Sequence, residues 1–124
     1  MHVDVTSVVL LGLGGFWVVG ALVFGGQMSA GRFGPVKALH QDLSPEASEA
    51  VWWGKNVALG LIGALWLAAG ALHASGAPGA QKWALAAAVA IAVEQLCMPL
   101  VSPRHWKSYT GVLVGVGLAL LVAR

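Results

Sequence analysis

Charge is what this sequence has least of. Seven Lys or Arg and five Asp or Glu make up 10% of 124 residues, where a soluble domain carries about 25%. So little polar surface cannot coat a water-soluble globule. With 58% hydrophobic residues and a mean hydropathy of +0.79, the lipid bilayer is the expected solvent for most of the chain. The cations are scattered singly, for a formal net charge of +2. No basic cluster exists to track a phosphate backbone, so no nucleic-acid partner is expected. One cysteine, Cys97, excludes an intrachain disulfide and a multi-cysteine zinc site. The opening MHVDVTS holds no Lys or Arg, so a cleaved signal peptide is not expected. Enzyme signatures are missing too. Gly12, Gly14 and Gly15 lie inside an apolar run, where no nucleotide loop forms, and no nucleophile–base set or carboxylate pair is visible.

What is present is apolar length. The expected architecture is all-α, a single domain of four transmembrane helices in an antiparallel bundle. The spans fall at about 5–28, 52–73, 82–101 and 105–123, with a cytoplasmic loop at 29–51. Residues 5–30 contain no charge and many glycines, which lipid tolerates and which let a neighbouring helix approach closely. Residues 27–43 hold Arg32, Lys37, His40 and Asp42. The spacing of Val36, Leu39 and Leu43 suits a short interfacial helix, and the stretch reads equally well as an irregular loop. Ser44-Pro45 marks a helix start, with Glu46 and Glu49 complementing the dipole. Trp52, Trp53, Trp83 and Trp106 are placed at membrane interfaces. The Gly/Pro-rich residues 74–81 make a tight turn, and Ser102-Pro103 starts the last span. Small-residue stripes at four-residue spacing mark packing faces: Gly60, Ala64 and Ala68; Ala80, Ala84, Ala88 and Ala92; Gly111, Gly115 and Ala119.

Four spans place both termini on one side. Arg32, Lys37, Arg104 and Lys107, with Lys55 beside them, oppose only Lys82 and Arg124. The positive-inside rule therefore puts the first and third loops in the cytoplasm and both termini outside. The Ala, Gly, Val and Leu usage fits a bacterial inner membrane.

Glu94 is the one acid inside a membrane-length apolar run. A carboxylate there costs on the order of 2.5–3.5 kcal/mol on insertion scales, so it must face the protein interior and be paired, hydrogen-bonded or protonated. Lys55 enters from the same side, with Asn56 or Gln95 as hydrogen-bond partner. These four residues form the expected intramembrane polar site. Cys97 and Met98 follow Glu94 at helical spacing, and His105 and His40 lie at the same end. Soft sulfur with imidazole suits copper, and paired histidines suit haem; His2 and His73 form the other pair by side. Ordinary packing explains the cysteine and methionine equally, and no cofactor is expected. Trp17 and Trp66 fall mid-membrane, either lining a pocket or packing against glycines.

Two functions follow from this pattern. The chain is a small oligomeric transporter of a solute or ion, with Glu94 as a protonatable coupling site. Alternatively it is an accessory or assembly subunit of a larger membrane complex. The expected partners are the lipid bilayer and either a second copy or another membrane subunit.

Overall fold

The computed structural model describes residues 4–39, 46–101 and 109–123, the side chains at 98–101 and 109–112 excepted. The described residues are helical with no strand. The elements are α1 (Val5–Ser29), α2 (Gly34–Leu39), α3 (Glu49–Ala74), α4 (Ala80–Val101) and α5 (Tyr109–Ala123). Among the described residues, two helices are long and apolar enough to cross a membrane, α1 with 25 residues and α3 with 26. At 1.5 Å rise each is about 37–39 Å long, against a hydrocarbon core of about 30 Å.

Local chemistry fixes the helix ends. Asp4 caps α1 by accepting the Ser7 amide at 2.9 Å, and Ser48 caps α3 by accepting that of Val51 at 3.3 Å. The start expected at Ser44-Pro45 lies outside the described residues, and the cap of α3 is four residues further on. At the other end of α3, Gly76 adopts φ +70°. Its N–H reaches the His73 carbonyl while that of Ala77 reaches Leu72, which closes the helix in a Schellman turn. The chain then reverses into α4. The starts expected at Ser102-Pro103 and residue 105 also lie outside the described residues, as does Trp106.

Each long helix runs antiparallel to its neighbours. Asp4 meets His73, Gly14 meets Gly63, and Asn56 reaches the Ala21 carbonyl, so α1 and α3 oppose each other along their length. α4 lies against α3, and α5 lies against α4 with Gln81 bonded to the Val122 carbonyl. The buried positions of α3 recur at steps of three and four: Trp52, Lys55, Asn56, Leu59, Ile62, Gly63, Trp66, Ala69, Gly70 and Ala74. That is one helical face.

Close approach of α1 and α3 needs glycine at one crossing. A Cβ added to Gly14 would sit 2.9 Å from the Gly63 carbonyl oxygen, and one added to Gly63 would sit 2.9 Å from that of Gly14. The stripe expected on α3 divides between two faces of the single chain. Gly60 does face α1, meeting Ala21, but Ala64 and Ala68 are exposed. A four-residue step advances about 40° beyond a full turn, so such a stripe walks off the contact that Gly63 and Gly70 keep. On α5, Gly115 packs against the Ala88 carbonyl and Ala119 is half-buried; Gly111 lies outside the residues described for packing.

The main core joins α1, α3, α4 and α5 around Leu10, Trp66, Ala84, Ala87, Ile91 and Leu118. A second cluster joins Met28, Val36 and Trp52, with Phe33 and Val51 packed on it. Trp52 is therefore fully buried under α2. Residues next in sequence lie 100° apart on a helix, so Trp53 takes the outward position and Trp52 the inward one.

Candidate functional site

The polar residues expected inside the apolar helices divide into two sets. Lys55 Nζ lies 2.6 Å from Glu94 Oε1, and both side chains are enclosed, at 4% and 10% exposure. Gln95 Nε2 donates to the other carboxylate oxygen, Oε2. Both oxygens of Glu94 thus accept hydrogen bonds, which is how an ionised carboxylate is satisfied. Asn56 takes no part. Its Nδ2 donates to the Ala21 carbonyl at 2.9 Å, so it ties α3 to α1 while Lys55, its neighbour, ties α3 to α4.

The register that brings Lys55 to Glu94 is set by Trp66. Its Nε1 donates to the Ala87 carbonyl at 2.9 Å, with the indole fully buried. From that bond Lys55 lies eleven residues back along α3 and Glu94 seven on along α4, which is about 16 and 10 Å. The flexible lysine stem spans the remaining offset of about 6 Å. Trp17 packs edge-on against Trp66, with centroids 4.8 Å apart and planes at 74°. These two tryptophans form a packed pair between α1, α3 and α4.

Chemically, the Lys55–Glu94 arrangement is closed. An enclosed ion pair must recover a large desolvation cost, and it does so through short contacts that leave few polar atoms unpaired. A cavity of about 390 Å³ does exist, but α1, Leu39 and Leu59 line it, and neither Lys55 nor Glu94 does.

Of the suggested metal ligands, only Cys97 has its side chain among the described residues. Cys97 is exposed. His40, His105 and the side chain of Met98 lie outside the described residues. Among the described residues, no three of His, Cys, Asp and Glu converge.

One polar contact had not been anticipated. His73, set by sequence beside His2, instead meets Asp4 at 3.2 Å; His2 lies outside the described residues. The Ser7 backbone amide, with further help from His73, outweighs burial and lowers the Asp4 carboxyl from 3.8 to about 2. The readable signal was Asp4 as a helix cap, since an antiparallel α1–α3 pair places the first residues of α1 beside the last turn of α3.

Compared with protein-family models, curated proteins and solved structures, the chain matches none.

Proposed function

We propose that this chain is a small multi-pass membrane protein acting as a structural or accessory subunit of a larger membrane assembly. In this reading Lys55 and Glu94 are an internal tie and not a coupling site. The observation that carries it is the enclosed pair itself, at 2.6 Å with Gln95 on the second carboxylate oxygen. A coupling carboxylate needs a water path so that protons or cations can reach it, and a transporter built on Glu94 requires one. The membrane reading is supported by apolar surface that protein does not cover. α1 leaves Phe16, Val19 and Leu22 exposed at 66%, 60% and 72%, which lipid or a partner must cover.

The proposal extends to four spans, α1, α3, α4 and α5, in a bacterial inner membrane. The first and third loops are cytoplasmic and both termini outside, from the Lys and Arg distribution. Its partner is a second copy or another membrane subunit.

The test uses purified protein in sealed liposomes under a proton gradient and, separately, a membrane potential. The accessory reading predicts no flux above empty vesicles. In native membranes solubilised in mild detergent, the protein should migrate well above its 12.7 kDa. Flux that Glu94→Gln abolishes would establish the transporter reading instead.

A further inference from the structure

We infer that the seam between α1 and α3, at the end nearest α2, binds internal water that accepts a hydrogen bond from Trp52 Nε1 and donates one to Asn56 Oδ1. Trp52 is fully buried and Asn56 is 5% exposed. Neither of these two atoms has a hydrogen-bond partner among the described residues, and Gln27 Oε1, also buried, is a third such atom. Buried polar atoms of native proteins are paired, with protein or with ordered water. Hydrocarbon offers them no substitute.

The three atoms belong to one level of the bundle. Asn56 Nδ2 bonds the Ala21 carbonyl and lies 3.4 Å from where a Cβ of Gly25 would stand. Trp52, one turn before Asn56 on the same face, packs with Met28. Residues 52–56 of α3 therefore lie opposite residues 25–28 of α1, a stretch that includes Gln27. Rearrangement within the chain does not satisfy these atoms. Turning the Asn56 amide over would set its oxygen against the Ala21 carbonyl oxygen. The side chains clustered with Trp52 are Met28, Val36, Phe24, Phe33, Ala47 and Val51, and none carries an oxygen. The seam also loosens here. A Cβ on Gly14 would sit 2.9 Å from the Gly63 carbonyl oxygen, whereas one on Gly25 would meet, among the described residues, just the Asn56 amide nitrogen within 4 Å. The ligand must accept from an N–H and donate to amide oxygens. A cation repels the first and an ionised anion the second; water does both, and about three bonds are usual for a buried one. Lys55 turns away to Glu94 of α4, so this water is separate from the ion pair. It joins α3 to α1 beside the Asn56–Ala21 bond, where the two backbones no longer touch.

The indole N–H groups report on the site directly. Full-length protein carrying isotope-labelled tryptophan is studied by NMR in deuterated detergent micelles, with the Trp52 signal assigned by its loss in Trp52→Phe. Trp52 Hε1 should show cross-relaxation with water, of the sign that marks a long-lived contact. Trp66 Hε1, which bonds the Ala87 carbonyl, should show none. Ser48, one turn before Trp52, carries the nearest exchangeable hydroxyl on α3 that could relay a false signal. Ser48→Asp keeps a helix cap without that hydroxyl, and the Trp52 signal should persist in it. Asn56 is the one asparagine of the chain, so an isotope label at its side-chain carbonyl reads that group alone. Its infrared band should lie at the hydrogen-bonded position. A water signal of the opposite sign reports freely exchanging solvent and overturns the inference, as does a signal lost in Ser48→Asp. No water signal at Trp52 also overturns it, whether the indole shift shows the N–H unbonded or bonded to protein. An Asn56 carbonyl band at the position of a free amide overturns it equally.

Discussion

The Lys55–Glu94 pair gives the sharpest energetic prediction. Lys55→Met keeps most of the side-chain volume but leaves Glu94 enclosed without its cation. Glu94→Gln keeps the shape and the Gln95 contact but strands the lysine. Both side chains are at or below 10% exposure, so water cannot readily replace the missing partner. Breaking one half of such a pair costs about 3–5 kcal/mol. Removing both charges together cancels the desolvation cost with the attraction, and the double variant should fall within about 1 kcal/mol of the original. The coupling energy in the cycle should therefore reach at least about 5 kcal/mol. The assay is unfolding in mixed micelles with rising denaturing detergent, followed by helical circular dichroism. Single variants each within about 0.5 kcal/mol of the original and additive in the double would refute the argument that the pair ties α3 to α4.

Three further outcomes follow from other contacts. Gly14→Leu should destabilise by about 1–3 kcal/mol because the α1–α3 crossing has no room for it, while Gly12→Ala, with nothing within 4 Å of its Cβ, should be neutral or stabilising in the same unfolding assay. Trp66→Phe removes the bond to the Ala87 carbonyl and should cost about 1–3 kcal/mol, seen as a lower unfolding midpoint. Asp4 is held near 2 in the folded chain against 3.8 when free, so its stabilising effect is complete above about pH 5 and fades as pH falls to about 2; Asp4→Asn should flatten the stability–pH curve in that window.

The helices were legible because apolar length and turn residues are local signals. α1, α3, α4 and the Gly76 reversal sit where composition puts them. Lys55 beside Glu94 was legible for an energetic reason, since a lone acid in an apolar run needs a cation and only one enters at that depth. What stayed hidden depends on rotation about the helix axis. Ala64 and Ala68 looked equivalent to Gly60, and Trp52 looked equivalent to Trp53. Burial by α1 and α2 decides between such residues, and no spacing within α3 encodes where those helices lie. The same rotation decides between Asn56 and Gln95 as partner of Glu94. The backbone position of Asn56 beside Lys55 was clear, but 100° of rotation directs it to the Ala21 carbonyl of α1. The Asp4–His73 contact joins residues 69 apart in sequence and becomes visible only once the α1–α3 register is known.

The central claim is that the Lys55–Glu94 site is dry and structural. Water access tests it most directly. Lys55→Cys with Glu94→Gln removes both charges, and Cys97→Ser removes the native thiol. Sealed vesicles carrying this variant are treated from each side with a charged thiol reagent that cannot cross the membrane. No labelling in the folded protein, with full labelling after unfolding, is the predicted result. Labelling of residue 55 from one side of the folded protein would reveal a water path to the pair and contradict the account.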